Sequence, residues 1–243
     1  MSGRGFAILN KIEKIRLAKS HMASLIDCNA DIFDREENVF VEKKNFPFWS
    51  CTFGGNVVIL ADAEMIAWCR EEFAMMQPED IMSNDTMFSV DEMLRKRRYK
   101  LANDVRYLHL YPDHAAPKPV GFEYRLFKGS ETAQFGHIEH FNSNPNDSTM
   151  VYAAYDGSKL AAVAGAVDDS GTLWSIFRVD TMSQYRGRGL GGYLAKQLTL
   201  EVEKMDVLPY YTTWAGNLPS TRLALNIGYQ PVWMGYHAIE SDL

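Results

Sequence analysis

The stretch QYRGRGLGG at 184–192 sets glycines at positions 187, 189 and 192, with arginines at 186 and 188. Glycines at such intervals let a backbone adopt positive φ and approach an anion with no Cβ in the way. Where a helix starts in such a loop, its first N–H groups lack partners and its dipole adds positive potential. The segment therefore has the makings of a phosphate cradle, and two guanidiniums suit a ligand with several phosphate charges. The same G-x-G-x-x-G spacing serves dinucleotide-binding loops. That use requires a preceding parallel βαβ strand and an acid about 20 residues downstream for the ribose hydroxyls. Here the loop follows an apparent meander, and the next strand, YYTTWAG, holds no acid. Both requirements fail.

The elements around the loop read clearly. GFEYRLF at 121–127 has strand character, and a short helix is predicted near 130–141. TMVYAAYD, KLAAVAGAVD and TLWSIFRVDT follow, divided by G-S and D-S-G turns, as an antiparallel meander. After the loop, Leu190, Leu194, Leu198, Val202 and Met205 form one stripe of a helix. YYTTWAG is then a strand, LPSTRLALNIG a short helix ending at Gly228, and YQPVWMGYHAI the last strand.

The first half begins with a helix-like segment at 10–30, then the strand-like runs NVFVEKK, FPFWSCTF and NVVILA. DAEMIAWCREEFAMM opens on an acid in the place of an N-cap and continues with helical spacing. A further helix is predicted from about Val90 to Arg98, a strand at 104–111, and a linker in the three-proline segment PDHAAPKP at 112–119. The expected division is thus an N-terminal α/β domain over 1–115 and a second domain over 120–243. Both halves show three strands, a helix and a later strand, so the first is a candidate degenerate copy of the second, without its glycine loop.

Composition narrows the class. Hydrophobic residues at 47% and charged residues at 23% are those of a globular chain. No apolar run approaches the roughly 18 residues of a membrane span, and the N-terminus lacks a signal-peptide core, so a soluble, cytoplasmic protein without membrane partners is expected. Cys28, Cys51 and Cys69 are odd in number and lack C-x-x-C spacing, which favours free thiols over disulfides or zinc. The net charge of −6 argues against nucleic acid, and the basic run LRKRRYK at 94–100 reads as a solvated helix face or end. HIEH at 137–140 lacks metalloprotease spacing and a third ligand, so no metal is expected. The tyrosines and tryptophans at 210, 211, 214, 229, 233 and 236 suit either core packing or an acceptor pocket.

From Arg178 onward, RVDTMSQYRGRGLGGYL closely resembles the acetyl-CoA loop of the Gcn5-related N-acetyltransferase superfamily, whose Q/R-x-x-G-x-G/A motif is here Arg186-Gly187-Arg188-Gly189-Leu190-Gly191. Downstream, WAGNLPSTRLALNIGYQP resembles the second signature of these enzymes, through Asn217, Ser220, Leu223 and Gly228-Tyr229. The resemblance covers about 120–243. It implies an α/β fold with a mixed, largely antiparallel central sheet flanked by helices, and an acetyl-CoA-dependent N-acetyltransferase acting on a small-molecule or protein amine. It further implies that the main chain of Val179, Asp180 and Thr181 pairs with the pantetheine arm. The amides of Gly187 through Gly192, Leu190 and Gly191 included, would cradle the pyrophosphate, with Arg186 and Arg188 beside it. Asn217 would bond to the cofactor near the pantetheine, with help from Ser220. A homodimer is compatible with this reading.

The catalytic positions of the family are vacant. The tyrosine that many members place seven residues after the motif asparagine is here Ala224, and TLWSIF carries no carboxylate where lysine-modifying members have one. Proton transfer, which such chemistry needs, would fall to Tyr185, Tyr193, Ser220, Asp180 or water. No catalytic residue is assigned, and a CoA-binding module without chemistry is the alternative.

Overall fold

The structure, a computed structural model, describes residues 9–136 and 149–241. The run HIEH at 137–140 and the end of the helix expected near 130–141 lie outside the described residues. The chain forms two compact units. One comprises residues up to Ile15 with Tyr107–Thr212 and Asn217–Gln230; the other comprises Arg16–Arg106, Thr213–Gly216 and Pro231 onward. The chain thus passes between units several times, in place of a single crossing within the 112–119 segment.

The unit that carries the glycine loop begins its strands with β5 (Glu123–Lys128), β6 (Thr149–Asp156), β7 (Lys159–Asp168) and β8 (Leu173–Thr181). These four pair successively antiparallel, β5 with β6, β6 with β7 and β7 with β8. Helix α5 (Leu190–Glu203) returns the chain so that β9 (Leu208–Thr213) pairs parallel to β8. The helix lies across β6, β7 and β8, and the small residues of β7, Ala161, Ala162, Ala164 and Ala166, all buried, let it sit close. Leu190, Leu194, Leu198 and Val202 are the buried stripe expected. Met205 lies past the last helical residue and is exposed, a correction to that stripe. Phe135, Val151, Ala153 and Val163 form a smaller cluster in this unit, above a 3-10 turn over Gly129–Phe135 in place of an α-helix.

The other unit holds β1 (Val39–Glu42), β2 (Trp49–Thr52) and β3 (Val57–Ala61) in the order β1-β3-β2, followed by β10 (Tyr229–Glu240). β1 and β3 are parallel, whereas β3–β2 and β2–β10 are antiparallel. This order departs from the successive meander of β6, β7 and β8. β3 is buried throughout, which fits its unbroken apolar run. Helix α2 (Ala63–Phe73), capped by Asp62 at Met65 N–H, and helix α4 (Asn84–Arg95) share a core with Val57, Ile59 and Ala61. Between them lies the short α3 (Pro78–Ile81).

Helix α4 starts six residues before the expected Val90. The polar cluster Ser83-Asn84-Asp85-Thr86 conceals the apolar period, but Ser83 caps Thr86 N–H, and Met87, Val90 and Leu94 then bury one face. The basic run at 94–100 ends this helix, and two of its arginines are paired, Arg95 with Asp91 and Arg97 with Asp62. Helix α1 (Lys11–Leu25) and strand β4 (Tyr99–His109) contribute residues to both units. Cys51 and Cys69 are free and buried, and burial pushes both thiols up to about 12. No helix among the described residues is long and apolar enough to cross a membrane.

Helix α6 (Leu218–Asn226) ends against β4 through one glycine. Gly228 has φ +102°, its carbonyl accepts from Leu110 N–H and Tyr111 N–H, and a Cβ on it would lie 2.0 Å from the Tyr111 carbonyl oxygen. Gly187 also has positive φ, but a Cβ there meets nothing within 4 Å. Gly228→Ala is therefore expected to cost on the order of 3 kcal/mol in urea denaturation, through collision and strain together. Gly187→Ala is expected to cost only roughly 1–2 kcal/mol, through backbone conformation. Equal losses at the two positions would contradict the close approach at Gly228.

Candidate functional site

The site is built where β8 and β9 stop pairing. Their parallel register runs from Leu173↔Leu208 to Ile176↔Tyr211, although β8 continues to Thr181 and β9 to Thr213. The cause lies in β8. Its register with β7 shifts between Gly165↔Phe177 and Val163↔Asp180, three steps along β8 against two along β7. The extra residue is a bulge, and Arg178, at φ +51°, takes the left-handed conformation within it. β8 keeps β7 as its neighbour on one edge. On the other edge its last residues, Val179, Asp180 and Thr181 among them, have no strand partner among the described residues. On the β9 side, the Thr212 hydroxyl is buried and has no hydrogen-bond partner among the described residues. An extended ligand with amide groups can satisfy such an edge.

The glycine loop closes one end of this seam. A 3-10 turn over Ser183–Tyr185 leads into Gly187 and Gly189, at φ +77° and +79°, and Gly189 is the N-cap of α5. With no side chain capping the helix, the first amides from Leu190 onward keep their unpaired donors. Gly191 is where the loop, the strand and α6 meet. A Cβ on it would lie 3.1 Å from Val179 Cγ1, 3.2 Å from Leu223 Cδ1 and 3.4 Å from Thr181 Oγ1. The Gly192 position is looser, with Ile227 Cγ2 at 3.7 Å. The structure thus brings the expected residues of β8, the loop and α6 together.

The arginines differ. Arg186 Nε donates to the Thr181 carbonyl at 3.0 Å, tying the loop to the end of β8. Arg188 instead lies over Tyr185 and Phe122, 5.5 and 6.0 Å from their ring centroids. Asn217 is the N-cap of α6, and its Oδ1 accepts from Ser220 N–H at 3.2 Å. Its sequence signal therefore has a structural cause as well, the start of α6. Ser220 Oγ lies 2.8 Å from Tyr211 OH, and burial pushes that phenol above its ordinary value. Tyr185 donates to Asp156, and Tyr193 packs edge-on against Tyr124. Ala224 is fully buried. Of the terminal aromatics, Tyr210, Tyr211, Tyr229 and Trp233 are core, and Trp214 is exposed. No group of three or more His, Cys, Asp or Glu that could hold a metal occurs among the described residues.

A buried polar cluster behind the loop carries no sequence signal. Lys196, on α5, donates from Nζ to the carbonyls of Pro112 at 2.8 Å and Ile227 at 3.1 Å, and its third contact is His109 Nε2 at 2.8 Å. Three acceptors match the three protons of an ammonium. With Nε2 accepting, His109 carries its proton on Nδ1 and donates it to Glu203 Oε1 at 2.8 Å. Lys14 completes the group, 3.5 Å from Glu203 and bonded to the His109 carbonyl. Lys14 lies 95 positions before His109 and His109 lies 87 before Lys196, and single-residue patterns do not reveal such a meeting.

A cleft of about 490 Å³ opens beside the loop, between the segment Ala115–Pro119 on one side and Arg188, Gly189, Gly192, Tyr193, Asn226 and Ile227 on the other. Lys196 anchors both walls, through Pro112 and Ile227.

Burial pushes the His109 imidazole below its ordinary value, with the bond to Glu203 opposing. The unfolded chain takes up a proton near pH ~6.5 that the folded chain refuses. The stability His109 contributes is therefore complete above about pH 6.5 and declines as the pH falls below it. Melting curves between about pH 7.5 and 5.5 are expected to show a decline in Tm, and His109→Gln should start lower and change less. Parallel slopes in the two proteins would refute the assignment.

Residues 151–238 match the family model described as FR47-like protein. Among solved structures, a GCN5-related N-acetyltransferase from Kribbella flavida aligns over 98% of this chain and 96% of its own, with 17% identity and a TM-score of 0.50. A GCN5-related N-acetyltransferase-like protein from Streptococcus suis 89/1591 aligns over 64% of this chain and 69% of its own, with 18% identity and a TM-score of 0.48. No curated protein matches.

Proposed function

We propose that this chain, whose residues 151–238 match the FR47-like family model and whose fold is similar to that of a GCN5-related N-acetyltransferase, is an N-acetyltransferase that moves an acetyl group from acetyl-CoA to an amine of a small molecule or protein. The observation that carries this reading is the open seam between β8 and β9 with a glycine-lined helix start at its end. An acetyl-CoA molecule offers matching parts, a pyrophosphate for the amides of 187–192 and an amide-bearing arm for the main chain of Val179, Asp180 and Thr181. The Thr212 hydroxyl, buried without a partner among the described residues, and the Asn217 amide would offer that arm further hydrogen bonds. Arg188 adds charge toward the phosphates, while Arg186, engaged with Thr181, stabilises the loop.

In the reaction, the lone pair of a neutral amine attacks the thioester carbonyl and the C–S bond breaks. The amine loses one proton and the thiolate gains one, giving an amide and free CoA. With alanine at 224, the Ser220–Tyr211 hydroxyl pair at the head of α6 is the best-placed proton carrier for the thiolate. Tyr193 and Tyr185 are committed to packing and to Asp156. A second reading rests on that same alanine: its methyl group has no proton to donate, so the fold would keep the ligand as a binding module without turnover.

The first test is a thermal melt with acetyl-CoA, CoA and NAD. A ligand at about 100 times its Kd that binds only the folded state adds roughly 2.7 kcal/mol. Shifts are expected with acetyl-CoA and CoA and not with NAD, together with thiol release when amines are supplied. A shift without release for any amine class would favour the binding module, and a shift with NAD alone would end both readings.

A further inference from the structure

The extra residue of the β8 bulge is a cation, and the register fixes the side of the sheet that it serves. Phe177 and Asp180 pair with Gly165 and Val163, which share one face of β7, so these two share a face of β8. Val179 and Thr181 meet the Cβ position of Gly191 on α5 and therefore lie on the opposite face. Arg178 Cζ stands 5.4 Å from the Phe177 ring centroid, which sets the guanidinium beside a side chain of the face away from α5. Arg178 is exposed, and it has no carboxylate partner and no hydrogen bond from its side chain among the described residues. The other two arginines of this segment are placed differently. Arg186 is tied to the Thr181 carbonyl, and Arg188 lines the cleft beside the loop together with Lys118 of the proline-rich strap over 112–119.

With the pyrophosphate at 187–192, the arm of acetyl-CoA would run back along Thr181, Asp180 and Val179. Its thioester end would then reach Arg178, close to where β8 and β9 begin to pair at Ile176↔Tyr211. One face of β8 is covered by α5, so an acceptor amine would come in from the other and meet the guanidinium on Phe177. Arg178 also holds a left-handed backbone at φ +51°, which glycine takes without strain and arginine does not. An arginine at this point supplies what glycine would not, a planar fork of donors that matches an oxyanion. In a chain of net charge −6, a cation without an acidic partner here favours an anionic group. We propose that Arg178 selects the acceptor, a small amine that carries a carboxylate or phosphate group a few bonds from its nitrogen. This rests on the transferase reading given above and narrows its acceptor from any amine to that class.

The test compares matched amines in thiol release from acetyl-CoA by the full chain, glycine against glycinamide and O-phosphoethanolamine against ethanolamine. The wild type is expected to favour the charged member of at least one pair by about tenfold in kcat/KM, the worth of a hydrogen bond to a charged group. The pair that shows it identifies carboxylate or phosphate. Arg178→Gly suits the left-handed backbone of the bulge, and its melt with CoA checks that the fold and the cofactor site persist. It should remove most of the preference, chiefly through a higher KM for the charged amine, and Arg178→Lys should retain part of it. Comparing the wild-type ratio with that of the variant cancels the intrinsic difference in basicity within each pair. The preference should also shrink at high salt. A wild type without the preference, a variant that keeps it whole, or one that loses both members of a pair equally overturns the role of Arg178 and leaves the transferase reading standing. A wild type that binds CoA and releases thiol with no amine overturns both.

Discussion

Two paired strands stay closed only while each contributes the same number of residues to the ladder, and β8 breaks that count at Arg178. The one additional residue is taken up in a left-handed conformation that a non-glycine side chain adopts at some cost. On the β7 side the bulge in β8 takes up the mismatch, and pairing continues to Thr181. β9 has no such compensation, and its pairing with β8 ends at Tyr211. Three features meet at that ending: main-chain groups on β8 without a strand partner among the described residues, the unpartnered Thr212 hydroxyl on β9, and a helix start beyond Gly189. A sheet zipped to its end would satisfy those groups internally and leave the glycine loop as a surface turn.

The cleft beside the loop is held by a different device, the buried group of Lys14, His109, Lys196 and Glu203. Burying such charges is expensive unless each finds partners, and here each does. The lysine on α5 reaches the end of the strand–strap junction at Pro112 and the end of α6 at Ile227 in one step. Gly228, one residue later, admits the Tyr111 backbone at a distance that no side chain allows. The strap, α5 and α6 are thereby fixed relative to one another by polar contacts and one glycine, within a single unit.

Much of this was legible in the chain. The meander, the loop, α5 and α6 follow from alternation, turn residues and a helical stripe, since these signals are local and the corresponding elements are regular. The loop residues 187–192 stand out by their spacing, Asn217, Ser220 and Leu223 by resemblance to a family signature, and Gly191 of the loop meets Val179, Thr181 and Leu223. What escaped notice was non-local. The early start of α4 was masked by a polar cap cluster, the 3-10 turn at 129–135 has no period of its own, and Met205 continued a stripe beyond the residue where the helix stops. The bulge at Arg178 has no signature, because arginine does not mark a left-handed position as glycine does. The division into units was equally hidden, since it depends on where β4 and β10 run and not on the composition of the 112–119 segment.

The motif residues also serve two ends, and this bears on what a motif match means. Asn217 caps α6, Gly228 permits the turn against Tyr111, and Gly191 lets α5 approach β8 and α6. Tyr229 is fully buried, with its hydroxyl 2.8 Å from Thr199 Oγ1. Each would be needed to build this unit even without a reaction to perform. Such a pattern therefore reports a framework able to receive a cofactor far more directly than it reports turnover. The chemistry depends on groups the framework does not require, and the exchange of the usual tyrosine for Ala224 alters one of them while leaving the core undisturbed. Under the proposed reaction, proton transfer would fall to other groups, and Ser220 of the second motif, with Tyr211, is where the structure concentrates hydroxyl groups beside the seam.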